Sequence, residues 1–180
     1  ERPFKYRRRP PPPMIVVLSD THGREHARLA GRAAEAVETA DLVIHAGDFT
    51  TPAVLAALEA ESERLVAVHG NVDDDRVRAR LPSMETVEAA GARIVVVHGH
   101  EHGETARAML GRQEGADLVV SGHSHRPGVV DAGDVTLLNP GSHADPRGNR
   151  PAHAELEPTE GGFRGRLVDR DGIAFEEFQV

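Results

Sequence analysis

Four stretches of the chain are apolar almost without a break: Met14–Leu18, Leu42–Ala46, Leu65–Val68 and Leu118–Val120, with His45 the one polar residue among them. A strand with one face in water alternates apolar and polar residues. A run that is apolar throughout suits a strand covered on both faces, as in a sheet held between layers. A fold built on such strands needs helices or a second sheet to cover them.

The intervening segments supply those covers. Glu25 to Glu38 has helical spacing, with Leu29, Ala33, Ala36 and Val37 on one side. Thr51-Pro52 predicts a helix start, threonine as N-cap and proline first inside, running to about Ala60. A short Arg-rich helix is expected from Asp74 to Arg80, stopped by Pro82, and another from Glu104 to Glu114. Met84–Ala89 and Arg93–Val97 read as a hairpin around Gly91. Beyond residue 128 the pattern is strands and turns: Val129-Val130, Val135–Leu138, His153–Glu157, Phe163–Val168 and Ile173–Phe178. Strand–helix alternation followed by strands predicts an α/β fold, a four-layer α/β/β/α sandwich of two mixed β-sheets flanked by helices. With 39% hydrophobic but only 3% aromatic residues, its core must be Val, Leu, Ile and Ala. Residues 14–180 are expected to form one domain. Residues 1–13, with Arg7-Arg8-Arg9 and four consecutive prolines, are expected to be a disordered upstream extension or expression remnant, Met14 being the natural start.

Sites in α/β sheets form at the carboxyl ends of strands. Here five strand exits carry metal-ligand residue types: Asp20 and His22, Asp48, Asn71, His98, and His123 with His125. Singly each has an ordinary reading, as a helix cap, a turn residue or a satisfied histidine. Seven such groups at five strand ends exceed what caps require, and clustered buried carboxylates need a counter-charge. The set mixes imidazole, carboxylate and amide oxygen without sulfur, which suits Mn, Ni, Fe, Zn or Co. Seven ligands exceed one tetrahedral ion, so two ions sharing a carboxylate is the economical count.

The ordered motifs Asp20-x-His22, Gly47-Asp48, Gly70-Asn71, His98-Gly99-His100 and Gly122-His123-x-His125 resemble the calcineurin-like metallophosphoesterases. Asn139-Pro140-Gly141-Ser142 narrows the resemblance to the small YfcE-like phosphodiesterase group. The resemblance runs from Met14 to about Val180. It implies the α/β/β/α fold and a dinuclear site of divalent transition metals, manganese first. One metal would take Asp20, His22, Asp48 and His125; the other Asp48, Asn71, His98 and His123, with Asp48 bridging. It implies hydrolysis of a small phosphate ester, a phosphodiester first, by a metal-bridging hydroxide. Asp48, Asn71 and His100 are the candidates for catalysis itself. Many relatives carry a histidine after the Gly-Asn pair to protonate the leaving group. Val72 stands there and cannot, as in the YfcE-like group. His100 could substitute in part, although support of the site or a solvated turn is its plainer role.

Charge bounds the partners. Glu1, Arg2, Lys5 and Arg7–Arg9 are one acid and five bases, which leaves 28 acids against 16 bases from Met14 onward, a net of −12. Such a surface opposes long nucleic acids, so a nuclease reading is disfavoured, and any phosphate binding needs local cations. The excess fits a halophilic source or a GC-rich genome. No apolar run approaches the roughly 18 residues of a membrane helix. With no secretory signal and no cysteine, a cytoplasmic location is expected. A homo-oligomer is allowed. The competing reading is a non-catalytic scaffold like the retromer subunit of the same fold, which has lost metal-site residues; here all seven positions are intact.

Overall fold

The computed structural model describes residues 14–180. The expectation for residues 1–13 lies outside the described residues. In chain order the elements are β1 Ile15–Leu18, α1 Arg32–Thr39, β2 Leu42–His45, α2 Pro52–Glu61, β3 Leu65–Ala67, α3 Asp75–Arg80, β4 Met84–Ala89, β5 Ala92–Val97, α4 Glu104–Glu114, β6 Leu118–Val120, β7 Gly128–Asp131, β8 Thr136–Asn139, β9 Ala152–Thr159, β10 Gly162–Asp169 and β11 Ala174–Gln179.

They form two mixed sheets. The first has the order β11-β10-β9-β1-β2-β3, and the second β4-β5-β6-β8-β7. β1, β2 and β3 run parallel, and so do β5, β6 and β8. β9 joins antiparallel to β1, which folds the C-terminal strands back onto the sheet that begins the chain.

Strand alternation builds the layers. Ile15, Val17, Leu42 and Ile44 of the first sheet meet Ile94, Val96, Leu118 and Val120 of the second in one central cluster. The opposite faces are covered too. Val16, Leu18 and Val43 pack with Val37, Leu55 and Leu58 of α1 and α2. Val95, Val97 and Val119 pack with Ala108 of α4. Three apolar seams separate four layers, so the α/β/β/α sandwich stands, and the unbroken apolar runs are strands wetted on neither face. At about 25 cal/mol per Å² of buried apolar surface, these seams are the main stabilising term.

The helix expected from Glu25 differs. Residues 25–31 are irregular and α1 begins at Arg32. Arg28 (φ 53°) and Gly31 (φ 54°) are left-handed, which no α-helix accepts. Ala27 and Leu29 still turn inward against the core, so the apolar spacing survives without the helix. Thr51 does occupy the N-cap of α2, yet its hydroxyl donates to the Arg24 carbonyl (2.7 Å) and does not cap. Thr51 therefore ties the 23–31 loop down. At α3 the cap forms fully: the Asp74 carboxylate accepts from the Arg76 and Val77 N–H groups, both at 3.0 Å.

Candidate metal centre

The parallel strands of both sheets point their carboxyl ends the same way, so the segments leaving β1, β2, β3, β5 and β6 meet at one end of the sandwich. Asp20 and Asp48 are buried there, 0% and 2% exposed, with His98 and His125 at 1% each. Among the described residues no arginine pairs with either carboxylate. Their partners are imidazoles: His22 Nε2 lies 3.5 Å from Asp48 Oδ2 and 3.8 Å from Asp20 Oδ1. His125 Nε2 is 3.5 Å from Asp20 Oδ1, and His98 Nε2 is 3.1 Å from Asp48 Oδ2.

His22 and His125 bring their Nε2 atoms to 3.2 Å. Asn71 Oδ1 lies 3.0 Å from both His98 Nε2 and His123 Nδ1. All seven residues picked out in the sequence therefore converge. Two groups have ligand atoms within 4.8 Å of one another: Asp20, His22 and His125; and Asp20, Asp48 and His98. Asp20 reaches into both groups, while Asp48 faces histidines of both, His22 and His98. His100 sits at the edge, its ring 5.4 Å from that of His98 and 6.2 Å from that of His123.

The rings are aimed by their far nitrogens. His98 Nδ1 contacts the Ala46 carbonyl at 2.7 Å, and His125 Nδ1 contacts the Asp145 carbonyl. A carbonyl accepts only, so each Nδ1 carries the proton and each Nε2 is free to bind a cation in the neutral ring. Burial pushes the Asp48 carboxyl up, but the hydrogen bond and charge of His98, with the Val72 N–H, outweigh it and hold the group below its ordinary value. Burial pulls His98 down, and Asp48 outweighs that, so its pKa is raised. His100 and His123 are lowered, by burial first and then by the charge of His98. Asp48 and His98 thus each favour the charged form of the other. This donor set fits a metal: imidazole, carboxylate and amide oxygen facing inward, with no Arg or Lys side chain paired to its carboxylates among the described residues.

Further residues support the centre, and of these Asp73 escaped the sequence reading. The buried Asp73 carboxylate accepts three backbone N–H groups, from Asp48 (3.0 Å), Gly70 (2.7 Å) and Thr50 (2.7 Å). It joins the segments after β2 and β3. Asn139 donates to the Gly122 carbonyl (2.9 Å), and Ser142 donates to the Asp20 carbonyl (2.7 Å), which gives the Asn-Pro-Gly-Ser stretch its role as a clamp. Asp20, His22, Asp48, His123 and His125 all have positive φ, between 41° and 69°. Left-handed backbone at non-glycine residues costs about 1–3 kcal/mol each and collects where surrounding structure over-determines it. A Cβ on Gly122 would stand 2.6 Å from Asp20 Oδ2, so only glycine lets this segment approach.

Residues 14–160 match the calcineurin-like phosphoesterase superfamily domain. The chain belongs to this superfamily. A curated relative from Methanocaldococcus jannaschii, described as a probable metallophosphoesterase, is 37% identical over 138 residues, covering 74% of this chain and 69% of that one. Among solved structures, a protein from Streptococcus pneumoniae described as a predicted phosphoesterase superposes with TM-score 0.71 at 26% identity, covering 93% and 98% of the two chains. Vps29 from Entamoeba histolytica, solved with zinc, has TM-score 0.77 at 21% identity and 92% and 98% coverage, a likeness of fold. The chain is thus a metallophosphoesterase-family protein whose Asp/His cluster is a candidate metal site. Among its described residues no helix is long and apolar enough to cross a membrane.

Proposed function

We propose that the protein is a dinuclear-metal-dependent phosphodiesterase, with Asp20, His22, Asp48 and His125 holding one divalent ion and Asp48, Asn71, His98 and His123 the other. The observation that carries this reading is the pair of buried carboxylates, without an arginine partner among the described residues, ringed by imidazoles of which His98 and His125 have their far nitrogens tied to carbonyls. Manganese is the first choice, since an N/O set without sulfur suits it. Bound together, two such ions supply an activated water and neutralise charge on the phosphate oxygens.

The chain's own residues do the rest. Asp48, facing His22 and His98, would offer its carboxylate to both ions. Asn71 contributes a neutral oxygen, so the site keeps net positive charge for an anionic ester. Val72 is 43% exposed and stands where a proton donor would help the leaving group. It offers apolar contact and no proton. His100 lies at the edge of the ligand set, its ring 5.4 Å from that of His98, and we assign it at most a partial donor role. The substrate is a small phosphate ester with a good leaving group. The complete ligand set separates this reading from the scaffold role, and the Vps29 likeness, at 21% identity, concerns fold.

The test is a series of aryl and alkyl phosphodiesters assayed with Mn, Ni, Co, Zn and Fe. Rates should fall steeply as leaving-group pKa rises. Flat dependence with chemistry rate-limiting would mean that a protein group supplies the proton, with His100→Ala as the check. No turnover with any metal would refute the enzyme reading.

A further inference from the structure

An acidic protein that handles phosphate needs cations close to its centre, and beside His22 there is such a place. A recess of about 440 Å³ is lined by His22, Gly23, Arg24, Glu25, His26 and Arg28. Its two arginines face one acid, in a chain carrying a net −12 from Met14 onward. Among the described residues Arg80, Arg93, Arg112, Arg147 and Arg164 pair with carboxylates. Neither Arg24 nor Arg28 does.

Arg28 is held in place. Its Nη2 donates to the Thr21 carbonyl (3.2 Å) and the His22 carbonyl (2.9 Å). A guanidinium has five N–H donors in a fixed plane. Two are used here, and the Nε–H and both Nη1 hydrogens have no partner among the described residues. The backbone of Arg28 is left-handed at φ 53°, and Ala27 and Leu29 on either side pack into the core. The strained conformation is thereby imposed from both sides. A fork already immobilised by two carbonyls loses little further entropy on meeting an oxyanion, and its geometry suits bidentate phosphate.

We propose that Arg24 and Arg28 form a subsite for a second phosphate on the substrate, so that the preferred ester carries a phosphorylated arm lying over His22. This rests on the phosphodiesterase reading and names its substrate class. The reacting phosphate belongs to the metal centre, and the second phosphate meets the unused donors of Arg28 with Arg24 beside it. Glu25 opposes it and sets the limit on affinity.

The probes are two esters with the same leaving group and the same reacting diester: thymidine 5′-(p-nitrophenyl phosphate), and the same compound with a 3′-phosphate. The phosphorylated ester should show about tenfold higher kcat/KM, mostly through KM, as one charge-assisted contact provides. Arg24→Ala and Arg28→Lys should each bring that ratio to about two or below, and Glu25→Gln should raise it. Arg64→Ala, at the opposite end of β3, should leave the ratio alone. In parallel, calorimetry with thymidine 3′,5′-bisphosphate and thymidine 5′-monophosphate, on protein with and without manganese, should show tighter bisphosphate binding that Arg24→Ala removes. A wild-type ratio near one, or a ratio insensitive to Arg24 and Glu25, overturns the subsite. Should neither ester turn over with any metal, the enzyme reading fails and calorimetry alone decides the subsite: equal binding of the two nucleotides overturns it.

Discussion

Asp73 offers the sharpest test of how the centre is held. Its carboxylate is 4% exposed and is the shared acceptor for the Asp48, Gly70 and Thr50 N–H groups. Asp73→Ala leaves three donors without an acceptor, two of them on buried residues. An unmet buried donor costs about 1–3 kcal/mol, and water entering the space left by the side chain recovers part of that. We expect a net loss of about 3–5 kcal/mol, a large share of the roughly 5–15 kcal/mol that holds a typical domain together. Asp73→Asn is informative because it separates charge from geometry. With its oxygen at the Oδ2 position it keeps the bonds from Asp48 and Gly70, but turns its amide towards the Thr50 N–H. It should fall between wild type and alanine. Urea unfolding of metal-free protein measures the stability term. Calorimetric titration with manganese measures the second consequence, a loss of about 10–100-fold in affinity, typical of groups that orient ligands. An Asp73→Ala protein within about 1 kcal/mol of wild type, with unchanged manganese affinity, would refute the reasoning.

Three further outcomes follow from the same geometry. Asp48→Ala should abolish turnover even in excess metal, because Asp48 faces His22 and His98 together, while circular dichroism shows the fold retained. Gly70→Ala should cost metal affinity and activity, since its Cβ would collide with Asp48 Oδ1; a variant with normal manganese binding would sink that argument. Burial holds His45 down to about 3, so as pH falls from about 6.5 the unfolded chain binds a proton that the folded one refuses. Stability present above that window is lost through it, at up to ~1.4 kcal/mol per pH unit for this one group. His45→Asn, which can keep an acceptor for the Gly47 N–H, should flatten the slope in metal-free protein. Glu155, whose burial is outweighed by bonds to His153, Arg32 and Arg166 and whose pKa is lowered, adds loss of the same sign below about pH 4.5.

The sequence by itself determined the layers and which side chains gather at the strand exits. Both depend on local pattern: a strand apolar on both faces must lie between two covers, and histidine or aspartate at its exit must emerge where parallel strands end. Leu118–Val120 with His123 and His125, and Met14–Leu18 with Asp20 and His22, carry that information within about ten residues each. What only the tertiary structure decided acts through backbone atoms at long range. The 25–31 segment keeps helical apolar spacing yet is bent into a loop, because Arg28 binds the carbonyls behind His22 and Thr51 holds Arg24 from the next strand exit. Asp73 carries no motif of its own in the sequence, and its role depends on N–H groups from two separate segments meeting its oxygens. The left-handed backbone at five of the seven proposed ligands has no signature in side-chain chemistry. Side-chain pattern specifies which surfaces are buried, but peptide N–H and C=O groups are the same at nearly every position. Which of them meet a given carboxylate or guanidinium is set only when the strands are in register and their ends come together.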